Sequence, residues 1–113
     1  MRPVRLLLIL LSICALSSAE DVKVGTPAAR QFYSWLDAFD SGDRATYLTF
    51  LEKNLPARAR NIDQEMNFRR NTGGFELRNV EDASAPTKFV ALVQERASDQ
   101  FARVTLEVAP GDS

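Results

Sequence analysis

The sequence predicts an α+β domain in which two to three N-terminal helices pack on a curved antiparallel sheet of three strands, preceded by a signal peptide. Apolar side chains recur at helical spacing from residue 27 to residue 71, and from residue 75 to residue 108 they follow strand patterns. The run Thr72, Gly73, Gly74 separates the two patterns and is able to end a helix. Helices followed by consecutive strands are the order typical of an α+β fold.

Residues 1–19 have the three parts of a secretory signal. Arg2 and Arg5 precede an apolar run, and the small residues 17–19 form a cleavage site. The apolar run is shorter than the ~20 residues that a membrane-spanning helix needs. We therefore expect cleavage between Ala19 and Glu20 and export to the periplasm or the extracellular space.

Two alternatives are open for this segment. It could stay attached as a membrane anchor, or Cys14 could carry a lipid, although Ile13 occupies the position at which a bacterial lipobox has Gly, Ala or Ser. The acidic residues Glu20 and Asp21 favour cleavage. Because Cys14 is the single cysteine, a cleaved chain forms no disulfide and has no cysteine ligand for a metal.

Residues 20–26 predict a short leader, and the domain itself is expected to span residues 27–109. Thr26 and Pro27 mark the start of a first helix as its N-cap and first residue. Gly42 ends that helix, Asp43 caps a second helix, and Pro56 stops it. A linker this short predicts a helical hairpin. The aromatic face of the first helix is expected to cover the sheet, and it consists of Phe32, Trp35, Leu36 and Phe39.

The remaining elements are a third helix over residues 57–71 and three strands. The strands are expected over residues 75–80, 88–95 and 101–108, with loops at 83–87 and 97–99 and a tail at 110–113. The second strand is apolar on both faces, as a central strand would be. In the third, Arg103 and Thr105 alternate with apolar residues, which predicts one buried and one exposed face.

Composition excludes several classes of function. The chain of 113 residues has 14 basic and 15 acidic residues and no histidine. Loss of Arg2 and Arg5 with the signal leaves 12 basic residues against 15 acidic ones, a net charge of −3. This balance gives no general attraction to nucleic acid or to anionic membranes. Without histidine, Ser-His-Asp and Cys-His chemistry cannot be assembled, and we expect no metal and no cofactor.

Four stretches of the chain resemble a known family. The run Phe39-Asp40-Ser41-Gly42-Asp43 between two helices resembles the opening of the SnoaL-like, ketosteroid-isomerase-like cone fold of the nuclear-transport-factor-2-like superfamily. Residues 72–77, 89–96 and 102–108 resemble the accessory domain that precedes the catalytic part of bacterial exported serine hydrolases, both tail-specific-type peptidases and β-lactamase-like enzymes. The resemblance extends over residues 28–108 and implies an incomplete cone-like fold.

The chain departs from this family after Val108, where the family continues into another strand and then into a hydrolase domain. Here residues 109–113 are predicted to form a loop. The resemblance therefore implies that the strand at residues 101–108 presents an unfinished edge. Such an edge invites pairing with a partner strand or with a second copy of the chain.

Five residues are candidates for contact with a ligand or partner. Arg69 and Arg70 bring positive charge beside Gly73 and Gly74, whose backbone N–H groups could help to hold an anion. The alternative is a plain helix-to-strand turn. Trp35 could line a pocket, as aromatic residues do in cone-fold proteins that bind small molecules, or it could belong to the core.

Three aspartates lie near the first interhelical turn, at positions 37, 40 and 43. The enzyme interpretation makes Asp40 a general base, as in ketosteroid isomerases. The alternative makes Asp43 a helix cap and leaves Asp37 and Asp40 as solvated side chains. The sequence favours an exported, non-catalytic accessory module of the kind found in front of serine hydrolase domains, with a hydrolase domain or another protein as partner. The alternatives are a small-molecule-binding or isomerase-like cone protein and a truncated remnant without independent function.

Overall fold

The computed structural model describes residues 6–13 and 25–109 of the chain. The predicted signal cleavage site, most of the leader and the tail at 110–113 lie outside the described residues. The elements in chain order are β1 (Leu6–Ile13), α1 (Pro27–Asp40), α2 (Arg44–Asn54), α3 (Pro56–Ala59), α4 (Ile62–Thr72), β2 (Phe75–Ala85), β3 (Lys88–Glu95) and β4 (Phe101–Val108). The helices pack on one face of the sheet, which confirms the predicted α+β class.

The sheet has the order β1-β4-β3-β2. β2, β3 and β4 form the predicted antiparallel meander, with β3 between its two neighbours. β1 was not predicted as a strand. It runs parallel to β4 over eight paired residues, from Leu6 opposite Phe101 to Ile13 opposite Val108. Because Leu6–Ile13 is almost uniformly apolar, its pattern cannot distinguish a strand from the apolar part of a signal.

The predicted helix caps are confirmed where the described structure has them. The Thr26 Oγ1 accepts a hydrogen bond from the Ala29 N–H at 3.1 Å, with Pro27 at the start of α1. An Asp43 carboxylate oxygen accepts one from the Thr46 N–H at 2.9 Å and so caps α2. Hydrogen bonds from Thr46 lower the pKa of the Asp43 carboxyl. These caps act within one helical turn, which explains why sequence alone located them.

The prediction of one continuous third helix over residues 57–71 is wrong. The chain instead forms the short α3 and then α4, with a break at Arg60 and Asn61. Pro56 serves as the first residue of α3 rather than only as the end of α2. The break turns the chain between the two helices, so that Ala59 and Ile62 both pack against the core.

The first predicted strand was too short. β2 extends to Ala85, so that the residues expected to form a loop continue the strand up to a turn at Pro86 and Thr87. Its pairing with β3 has register shifts between Leu77 and Asn79, between Val80 and Asp82, and between Asp82 and Ala85. Polar and small residues mask the strand pattern here, because this half of β2 is exposed.

The core is built around the aromatic face of α1, as predicted. Phe32, Trp35 and Phe39 are buried against the sheet, whereas Leu36 is only partly buried. The Phe39 ring stacks on Phe75 with centroids 5.2 Å apart, and Phe32 contacts Phe89 at 4.9 Å. At about 25 cal/mol per Å2 of buried apolar surface, these rings supply the largest share of the burial energy.

Candidate functional site

The strongest grouping of predicted site residues lies where the ends of α1 and α4 meet the start of β2 and the β3–β4 turn. We call it the helix–sheet joint and define it by Asp40, Arg69, Gly73, Gly74 and Arg96. Three of these residues, Arg69, Gly73 and Gly74, were candidate ligand contacts. The joint brings Asp40 together with Arg69 and Arg96, which follow it by 29 and 56 positions in the chain.

Arg69 connects α4 to the C-terminal end of α1. Its Nε donates to the Phe39 carbonyl and an Nη donates to the Asp40 carbonyl, both at 2.9 Å. The last carbonyls of a helix have no partner inside the helix and carry partial negative charge. The guanidinium therefore satisfies the end of α1, and its side chain is only partly exposed.

Asp40 receives two hydrogen bonds across the joint. Its Oδ1 accepts from the Phe75 N–H at 2.8 Å, and its Oδ2 accepts from an Arg96 Nη at 3.1 Å. The carboxylate thus fixes the first residue of β2 against α1. This role differs both from the general base and from the solvated side chain considered from the sequence, since the partners of Asp40 lie far away in the chain.

Gly73 and Gly74 use their backbone groups inside the fold. Gly73 ends α4 in the left-handed region, with φ 75°, and its N–H donates to the Arg69 carbonyl at 2.9 Å. The Gly74 N–H donates to the Thr72 Oγ1 at 3.2 Å, and the Gly74 carbonyl accepts from the Arg96 N–H at 3.0 Å. Both N–H groups that were considered for an anion are thus engaged in the helix-to-strand turn.

Arg70 and Trp35 lie apart from the joint's hydrogen bonds. Arg70 is exposed and donates to the Asn67 side chain on the same helix. Trp35 is 1% exposed and stacks on Phe39, with its ring 6.2 Å from that of Phe75. The five candidate residues therefore occupy three different environments, and contact with a ligand stays a prediction for each of them.

A second polar group lies among the helices, and its connections were not predicted from the sequence, although Trp35 was a candidate residue. We call it the Tyr47 network, consisting of Trp35, Tyr47, Arg58 and Glu65. The Trp35 Nε1 donates to the Tyr47 hydroxyl at 3.1 Å, and that hydroxyl donates to the Glu65 Oε1 at 3.2 Å. Arg58 binds the same carboxylate through Nε and an Nη, both at 2.9 Å.

Burial controls the chemistry of the Tyr47 network. It raises the pKa of the Tyr47 hydroxyl far above its ordinary value, and the negative charge of Glu65 raises it further. Tyr47 is therefore a neutral hydrogen-bond donor at every physiological pH. Arg58 and Glu65 form a bidentate ion pair, which is the favourable geometry for two partly buried charges. The network ties α1, α2, α3 and α4 together.

The spacing of Arg58 and Glu65 could have indicated their contact. Seven positions separate them, which is close to two turns of one helix and places both on one face. The break between α3 and α4 then bends the chain so that the two side chains meet directly. For Tyr47, by contrast, no local signal indicates its contact with Glu65, 18 positions later.

Neither polar group resembles a metal centre. Within residues 6–13 and 25–109, no three histidine, cysteine, aspartate or glutamate side chains are grouped so as to hold a metal ion. None of the helices in these ranges has both the length and the apolar character needed to cross a bilayer. No protein-family profile, curated protein or solved structure matches this chain.

Proposed function

We propose that this protein is an exported, non-catalytic accessory module that supports or orients a serine hydrolase domain through protein–protein contact. The observation that carries the proposal is the helix–sheet joint. Arg69, Gly73 and Gly74 have the chemistry of an anion site, yet Arg69 binds the end of α1 and the two glycines form the helix-to-strand turn. Asp40 and the Gly74 carbonyl then fasten the ends of α1 and α4 to the sheet and to its β3–β4 turn. Polar groups whose hydrogen bonds are used inside the fold support a structural role for the joint better than a reactive one.

The packing of the core supports the same proposal. A cone protein that binds a small molecule needs an enclosed space lined by a few polar groups. Here the central rings contact one another, with Trp35 stacked on Phe39 and Phe39 stacked on Phe75. The buried hydroxyl of Tyr47 is already bonded to Trp35 and Glu65. A ligand at this position would have to displace both partners.

The resemblance of residues 72–77 and 89–96 to the accessory domain of exported serine hydrolases motivates the choice of partner class. The test uses the tagged protein added to the exported fraction of its native host, followed by a fluorophosphonate probe that labels active serine hydrolases. We expect a labelled hydrolase to be retained, and the purified pair to show a changed kcat/KM. An unrelated exported protein of similar size is the control.

Two results would contradict the proposal. One is retention of no hydrolase above the control when the protein is folded. The other is turnover of ester, peptide or β-lactam substrates by the purified protein alone, because that activity would require a catalytic site that the proposal denies.

A further inference from the structure

The outer edge of β4 has the geometry of a strand-binding surface. The Glu95 N–H donates to the Gln100 carbonyl and the Val108 N–H donates to the Thr87 carbonyl, both at 2.9 Å. Hydrogen-bonded pairs alternate along an antiparallel ladder. In this register Ala102, Val104 and Leu106 bond β3, and the backbone groups of Arg103, Thr105 and Glu107 face the opposite edge.

The antiparallel meander has β2 and β4 as its two outer strands, and β4 is the one regular enough to accept another strand readily. The pairing of β4 with β3 is continuous from Phe101 to Glu107, without a register shift. β2, at the other edge, has three register shifts. Bulges of this kind protect an edge from further pairing. Of the two outer strands of the antiparallel meander, β4 is therefore the one able to accept a further strand, and β1 occupies that position in the described sheet.

The chain itself shows what this edge accepts. Leu6–Ile13 pairs in parallel with the full length of β4. The β4 residues opposite Leu7, Ile9, Leu11 and Ile13 are Ala102, Val104, Leu106 and Val108, all of them buried. A strand in this register is therefore extended and about eight residues long. At least every second residue of it should be apolar, because those residues lie opposite buried residues of β4.

We propose that the β4 edge is a strand acceptor, which holds Leu6–Ile13 in the precursor and an apolar strand of a partner protein, parallel to β4, once residues 1–19 are removed. This deepens the accessory role and rests on the proposed export and processing. The apolar segment then occupies the edge in any precursor that folds before residues 1–19 are removed.

A partner strand fits this edge better than a second copy of β4. A two-fold dimer that continues the sheet through equivalent edges places the two β4 strands antiparallel, whereas the observed occupant is parallel. β4 also carries Arg103, bonded to Glu81 across the sheet at 2.6 Å, and exposed Glu107. The occupant seen on the edge has no charged residue in its eight positions.

The test measures binding of a fluorescein-labelled peptide, LLLILLSI flanked by two lysines at each end, by fluorescence anisotropy. It compares the chain that begins at Glu20 with the full chain. We expect saturable binding to the processed chain and at least about tenfold weaker binding to the full chain, where the tethered strand competes at high effective concentration. Equal binding to both forms would overturn the proposal.

Thr105→Pro is the blocking variant, because it removes an N–H that faces the outer edge while leaving the ladder to β3 intact. Thr105→Val keeps the N–H and serves as the matched control. We expect about tenfold weaker peptide binding for Thr105→Pro and unchanged binding for Thr105→Val. Equal binding by a folded Thr105→Pro variant would overturn the assignment of the edge.

Variants of the peptide test the same strand pairing and do not require a protein variant to fold. In a parallel pair opposite Thr105, the backbone groups of Ile9 and Leu11 face β4, and those of Leu8 and Leu10 face away. N-methylation at Ile9 and Leu11 should abolish binding, and N-methylation at Leu8 and Leu10 should preserve it. The opposite preference, or none, would contradict the parallel register.

Hydrogen exchange and sedimentation complete the test. In the processed chain, the amides of Arg103, Thr105 and Glu107 should exchange quickly and become protected when the peptide is added. Fast exchange throughout the sheet would mean that the edge does not exist without Leu6–Ile13, which overturns the proposal. A dimer of the processed chain that the peptide fails to dissociate would overturn the partner proposal, because a second copy of the chain would then occupy the β4 edge. Peptide binding without retention of a hydrolase would uphold the acceptor and reject the accessory role.

Discussion

Gly74 lies between the C-terminal end of α1 and the start of β2, where the helix–sheet joint leaves no space for a side chain. Its φ is 93°, and a Cβ built on it would lie 2.5 Å from the Asp40 Oδ1. Any side chain would therefore strain the backbone and push away the carboxylate that holds the Phe75 N–H. The requirement for glycine at this position is structural, and it follows from the approach of two elements that are distant in sequence.

Gly74→Ala should lower the free energy of unfolding by about 2 kcal/mol or more, because backbone strain and displacement of Asp40 act together. Gly25→Ala is the control, since Gly25 also has a positive φ, of 105°, but its Cβ would have an ordinary contact at 3.7 Å. Urea denaturation of both variants measures the difference. Equal effects would show that Asp40 moves aside without cost.

Tyr47→Phe should cost about 1–3 kcal/mol, because it leaves the buried Trp35 N–H without its acceptor. It should also change the alkaline stability. The pKa of Tyr47 is raised in the folded state, so its contribution is complete below the unfolded value of about 10 and is lost as pH rises above that value. Thermal unfolding between pH 8 and pH 11 should show a steeper loss for the native chain than for Tyr47→Phe. Parallel curves would mean that Tyr47 titrates normally.

At the scale of elements, α1 is the helix that joins the other layers. Its N-terminal turn is tied to the β2–β3 turn by the Ala28 N–H, which donates to the Pro86 carbonyl at 3.0 Å. Its other end is held by Arg69. Between these ends, the buried face of Phe32, Trp35 and Phe39 contacts the sheet. The position of α1 is thus fixed by polar bonds at its ends and by aromatic packing along its length.

Trp35→Ala should destabilise the protein by about 3–5 kcal/mol, which is a large part of the stability of a small domain. The variant loses ring packing against Phe39 and the hydrogen bond to Tyr47. Tyr33→Ala, on the same helix, should have a much smaller effect, because Tyr33 is 44% exposed. Chemical denaturation of the two variants tests this, and similar losses would contradict the assignment of the buried face.

Local signals explain which elements could be predicted from the sequence. Thr26, Asp43 and Gly73 act within one turn of their own helices, and all three were located correctly. The length of β2 and the addition of β1 depend on pairing with distant strands, so no local pattern indicated them. The same holds for the joint. Arg69 and Gly73 were grouped by adjacency, whereas Asp40 and Arg96 reach them only through the fold.

At the scale of the whole molecule, the proposed export divides the chain into a segment that is removed and a domain that stays. The mature protein recovered from outside the cytoplasm should begin at Glu20, as intact-mass analysis would show. Ala19→Phe is the control variant, because a large residue at the cleavage position should leave residues 1–19 attached. A native chain that keeps these residues, or a lipid mass lost in Cys14→Ser, would contradict the prediction.

The parallel pairing of β1 with β4 also has a consequence in time. Leu6 and Phe101 lie 95 positions apart in the chain, so the pair cannot form until the residues between them have been synthesised. At about 5–20 residues per second, that leaves several seconds during which the sheet cannot yet capture the first segment, and the proposed export would have to begin in this interval. The order of these two events would decide the destination of each molecule. Translation speed over the codons between these two strands would then regulate the amount exported, without any change in the protein sequence.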